Sequence, residues 1–387
     1  MPPPSPALAL IGLITLLVLA GILTAWARAL AALWRRRPLL PDAPPRRVPW
    51  HAGSILGVIL LYYLLSTAVD LGYRAVRGPA PAAKAPAGAA AKAEPAPARR
   101  PPEELLGLQA AINLGVLALV PLFLWRTTGT TLADLGLADP DWRANLRRGF
   151  AAFFLLVPVV YGVMALALEV WPRQPHPVED MLRRRLDPGT AALALISAVL
   201  LAPLTEELLF RGLLLGWLRR VFDPAPRPDA IDPEGFGPAT ATAPGPAAAP
   251  SALARVVPDA VTAALFAALH WGQWPAPVPL FALALGLGVL MRRTGSLWAP
   301  IGLHATFNGV STAMMLLAGA AGVKLGPEGP ARPLPAPAVV GAGPQGRAPA
   351  LRLPGHIDRS DRGDRSALGA DAGIREKRAW GRDVPGL

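Results

Sequence analysis

The chain has 387 residues, a net charge of +12, 52% hydrophobic residues, only 17% charged ones and a mean hydropathy of +0.37. A soluble globular domain carries about 25% charged residues. The composition and the repeated long apolar runs therefore point to an all-α, polytopic transmembrane helical bundle, and because the runs are continuous rather than alternating they exclude a membrane β-barrel.

No cysteine is present, which removes disulfides, iron–sulfur clusters and thiolate zinc sites from consideration. The positive charge fits connections that meet anionic lipid headgroups. No surface interleaving basic and aromatic residues is visible, so no nucleic-acid partner is expected.

Eight spans are expected in chain order, at residues 7–27, 52–72, 105–125, 149–171, 190–218, 253–271, 277–291 and 297–319. The first has no Lys or Arg ahead of it, unlike a cleaved signal peptide, and reads as a retained span. The fifth would run about 40 Å, beyond the roughly 30 Å hydrocarbon core. Pro203 lies inside it and denies a hydrogen bond to the Val199 carbonyl, which predicts a kink or a fresh helix start there. Segments 78–102 and 223–251, rich in Ala and Pro, read as linkers, and 321–387 as a disordered tail.

The organisation expected is a two-span region (1–77), a linker (78–104), a second two-span region (105–189), a helical core (190–319) interrupted by the linker 223–251, and the tail (320–387). Sixteen Lys and Arg fall in or beside the connections that follow the odd-numbered spans, against ten in two of those that follow the even-numbered ones. That bias puts the former on the cytoplasmic side. The expected localisation is integral and multi-pass.

Polar residues inside the apolar spans carry the functional signal, because each ionisable group at a helix centre costs about 2.5–3.5 kcal/mol on insertion scales. Glu206, Glu207 and Arg211 interrupt the fifth span, His270 ends the sixth, and His304 and Asn308 interrupt the eighth. Glu207 and Arg211 are four apart and share a helix face. Glu206 is rotated about 100° away and is left free. The spacing thus separates a structural ion pair from a carboxylate able to act as a base.

Two mechanisms fit these residue types. In one, Glu206 and His270 orient and deprotonate a water while His304 and Asn308 donate to the oxyanion. In the other, a divalent metal such as zinc sits on His270, His304 and Glu206. A non-catalytic immunity or scaffold protein, using the same cluster for helix packing, is the alternative from another class. A proton-relaying transporter is a third, disfavoured because no internal repeat is visible.

The segments EELLFRG (206–212), FAALH (266–270) and SLWAPIGLHATFN (296–308) resemble the three motifs of the CPBP family, intramembrane proteases related to the type II CAAX prenyl endopeptidase and to bacteriocin-processing or immunity proteins. The resemblance implies a helical membrane endopeptidase acting on membrane-embedded or lipidated proteins, possible cleavage near a C-terminus included. It further implies Glu206 as the water-activating carboxylate, His270 as its helper, and His304 with Asn308 as the oxyanion site.

Overall fold

The computed structural model describes residues 5–40, 43, 46–77, 101–171, 188–222 and 252–323. Most of the first linker, all of the linker 223–251 and the tail from residue 324 lie outside the described residues. The described residues form eight helices and no strand: α1 (Pro6–Trp34), α2 (Ala52–Arg77), α3 (Pro102–Thr128), α4 (Trp142–Val170), α5 (Pro188–Phe222), α6 (Ala252–Ala268), α7 (Pro277–Thr294) and α8 (Trp298–Ala320).

Seven of these, all but α6, are long and apolar enough to cross a membrane, and the protein is an integral, multi-pass membrane protein. The sixth anticipated span is the exception. Its apolar helix, Val256–Ala268, is shorter than a full crossing because the chain leaves the helix before His270 and enters the 3₁₀ turn Trp271–Gln273.

The helix ends follow local chemistry. The Ser5 hydroxyl accepts from the Leu8 N–H ahead of Pro6, the first residue of α1. Helices α3 and α7 stop at Gly129 (φ 66°) and Gly295 (φ 64°), left-handed positions that a side chain would strain. Much of the surface of α1 and α2 is exposed Leu, Ile and Val, as lipid-facing helices require.

Helix α4 packs against α8 more extensively than any other pair, and α7 fits between α4 and α6. Phe153, Val157, Leu283, Leu287 and Leu303 are buried along these contacts. The second core gathers Val120 and Leu124 of α3, Leu208 and Leu213 of α5, and Leu297 around Trp50.

Glycine sets the α4–α8 distance. A Cβ at Gly149 would run into the Ala299 carbonyl, and one at Gly302 would lie 2.6 Å from the Leu146 carbonyl. Backbone is on the receiving side in both cases, so neither contact can be relieved by a rotamer change.

Gly149→Val is expected to lower stability by about 1–3 kcal/mol through overpacking. Gly162→Val, which meets open space, should be close to neutral. Thermal unfolding of both variants in the same detergent checks the difference.

Candidate active site

Helix α5 runs through Pro203 without a fresh helix start, one of the two outcomes expected from the sequence. Two π turns, Ser197–Leu201 and Leu208–Leu214, absorb the irregularity. In the first, the Ala202 N–H reaches back five residues to the Ser197 carbonyl. In that register residue 203 would pair with the Ala198 carbonyl, but proline has no N–H to give. The Asn308 side-chain amide supplies the missing donor, 3.0 Å from the Ala198 oxygen.

The second π turn is served in the same way from outside the helix. The indole N–H of fully buried Trp50 donates to the Leu213 carbonyl at 2.9 Å. Such π turns occur often at functional sites, and here the two flank Glu206 and Glu207.

Glu207 is wholly buried. Its Oε1 accepts from Arg211 Nη1 at 3.2 Å and from His304 Nδ1 at 2.8 Å. A carboxylate can only accept, so Nδ1 of His304 carries a proton and Nε2 is left to face elsewhere. Arg211, also buried, donates a second bond to the Ala284 carbonyl at 3.2 Å and lies 4.6 Å above the Phe266 ring. Helices α5, α6, α7 and α8 thus meet around one guanidinium.

Glu206 points away from this pair, with 30% of its side chain exposed, and its Oε2 lies 3.8 Å from His304 Nε2. That separation is too long for a direct hydrogen bond but suits a bridging water. His270 is half-buried and stands beyond the end of α6. Its Nδ1 is 3.0 Å from the Phe266 carbonyl, so its proton is committed there and Nε2 is free to accept. Both imidazole rings flank Phe266, with ring centres 5.2 Å (His270) and 5.8 Å (His304) away.

The residues singled out in the sequence therefore fall into two groups. Glu206, Glu207, Arg211 and His304 are brought into one cluster, whereas His270 approaches through Phe266 and Asn308 bonds the backbone of α5. Among the described residues no three His, Asp or Glu side chains are grouped as a metal ion would require. The set His270, His304 and Glu206 does not fit an ion as it stands.

Phe266, Trp50, Ala284 and the π-turn carbonyls were not singled out as site components in the sequence. Phe266 was legible only as a motif letter. Trp50 left a weaker trace, as a large aromatic residue beside a predicted span.

Residues 188–310, about a third of the chain, match the family model described as "Rce1-like: Type II CAAX prenyl endopeptidase Rce1-like". No curated protein and no solved structure matches the chain. The matched segment runs from the first residue of α5 to two residues past Asn308, and so contains every residue of the cluster described above.

Arg211→Ala leaves Glu207 buried and short of its main counter-charge. It is expected to cost about 3–5 kcal/mol, the penalty for breaking a buried pair from one side. Replacing the pair together, as Glu207→Gln with Arg211→Met, should cost less than the single change. Unfolding temperatures of the two variants decide this; equal losses would show that the pair carries no buried charge.

Proposed function

We propose that this chain, whose residues 188–310 belong to the CPBP family of CAAX-type intramembrane proteases, hydrolyses peptide bonds of membrane-embedded or lipidated proteins with a water activated by Glu206. One observation carries the reading: the His304 ring lies between two carboxylates, bonded to buried Glu207 at 2.8 Å and 3.8 Å from half-exposed Glu206. The first carboxylate orients the imidazole, and the second faces the space a substrate can reach.

Glu206 takes a proton from the attacking water, with the free Nε2 of His270 accepting the water's other hydrogen bond. The water oxygen bonds to the scissile carbonyl carbon, and the carbonyl oxygen becomes an oxyanion. His304 donates from Nε2 to that oxyanion in the form that carries a proton on each ring nitrogen, with Nδ1–H kept on Glu207. Asn308 adds the amide N–H not used on the Ala198 carbonyl. When the C–N bond breaks, Glu206 returns its proton to the leaving amine, giving a carboxylic acid and an amine; the acid then passes its proton to the amine, leaving a carboxylate and an ammonium group.

No step runs through a metal, because the donor set is not grouped to hold one. The packing alternative accounts for Glu207 and Arg211, both fully buried, but gives no task to an accessible Glu206.

Glu206→Ala should abolish cleavage, a loss of about 10²–10⁴-fold for a general base, while insertion and folding persist. Terminal proteomics of membranes carrying wild-type protein or the variant checks this and identifies the substrate. If the same new termini appear with both, the proposal fails. Metal analysis provides an independent check: stoichiometric zinc in purified protein, lost in His270→Ala, would replace this scheme with a metal-bound one.

A further inference from the structure

A second ionic cluster lies about two helical turns from Arg211, where α5 and α7 end and α6 begins. Asp259 of α6, 8% exposed, accepts from Arg219 Nη2 through both oxygens at 2.9 and 3.2 Å. Gly288 of α7 allows this approach, since a Cβ there would lie 2.6 Å from the Asp259 carboxylate. Arg292 Nε sits 3.6 Å from the same carboxylate, an ion pair beyond hydrogen-bond length, and is buried without a hydrogen-bond partner.

Arg46 is a third cation beside them, carried in by the segment before α2. That segment is held in place by Arg220, which donates to the Val48 and Trp50 carbonyls at 2.8 and 3.0 Å. Arg46 Nη2 meets the Met291 sulfur, at 3.9 Å, and Nη1 is buried with no hydrogen-bond partner. Burial first, and then repulsion from Arg219, push the Arg46 guanidinium down to about 10, with Asp134 opposing. Asp134 is itself occupied, accepting from the N–H and hydroxyl of Thr131.

Three guanidinium groups thus converge around Asp259, a single buried carboxylate within this cluster. Arg219 is three residues from the end of α5 and Arg292 two from the end of α7, the level at which a membrane-spanning helix meets headgroups. Planar guanidinium forks with unfilled N–H groups bind phosphate oxygens in pairs. The connections on this same face carry the larger share of Lys and Arg, which draws anionic lipid towards it.

We propose that Arg46, Arg219 and Arg292 form a binding site for a phosphate oxyanion at the membrane surface, supplied by the headgroup of an anionic phospholipid. The bound phosphate fills the N–H groups that Asp259 leaves open and ties the segment before α2 to the ends of α5 and α7.

The test uses the full chain in phosphatidylcholine nanodiscs and reads unfolding temperature as phosphatidylglycerol is added in one series and inorganic phosphate in another. Wild-type protein should gain stability saturably with phosphatidylglycerol. Arg46→Gln and Arg292→Gln should each raise the midpoint about tenfold, the scale of one lost charge-assisted contact. Arg35→Gln, an exposed cation at the end of α1, should leave it unchanged.

A shift with inorganic phosphate that also needs Arg46 supports the site and moves its source to soluble phosphate. No shift with either probe overturns the proposal, as does a wild-type response in both cluster variants or an equal loss in Arg35→Gln. Each comparison is a response to ligand rather than an absolute stability, so a weakened variant still reports. Cleavage is not part of the readout, and failure here leaves the proposed hydrolysis standing.

Discussion

The Glu207 carboxylate is the interaction on which the rest of the core depends. It is buried where water cannot solvate it, so its charge must be met by protein groups. Arg211 supplies the charge and His304 a second donor. Arg211 then needs the Ala284 carbonyl and the Phe266 face to complete its own surroundings. One buried carboxylate therefore fixes the relation of four helices, and it fixes which His304 nitrogen is turned inward as well. In this arrangement structure and proposed catalysis share a group without sharing a role: Glu207 never needs to reach a substrate, and Glu206, its neighbour in sequence, never needs to hold a helix.

Backbone chemistry imposes the second constraint. Pro203 stands three residues before Glu206 and removes one N–H from a helix in a medium that offers no water to replace it. The local answer is a π turn, and the remaining deficit at Ala198 is met by Asn308 from α8. Asn308 is thereby anchored beside α5 for a reason that concerns the helix alone.

The spans and the Glu207–Arg211 pair were legible in the sequence because both follow from local periodicity: apolar runs of bilayer length, and a four-residue spacing on one helix face. Contacts across distant elements were not. Nothing in the residues around His304 says that its Nδ1 will find Glu207, 97 positions away. Asn308 was read as one half of a pair with His304, since both face the same way on a helix, but its bond to Ala198 depends on a π register that Pro203 permits and does not dictate. The sixth span was overestimated for a related reason. Hydropathy continues through Leu269, His270 and Trp271, whereas the helix stops at Ala268, and an apolar run does not report where the backbone turns.

The two ionic clusters lie along a single seam. Arg211 of α5 reaches Ala284 of α7, and eight residues further on in both helices Arg219 and Arg292 meet at Asp259. An equal offset on two helices requires that they run in the same direction with little relative slip, about 12 Å of shared length at 1.5 Å per residue. Apolar contacts alone would tolerate sliding, since one Leu ridge packs much like the next. Fixed donors and acceptors at two heights do not, because a slip of one turn would strand both a buried guanidinium and a buried carboxylate. The polar groups that make this segment costly to place in a bilayer are therefore also what gives α5 a unique register against α7.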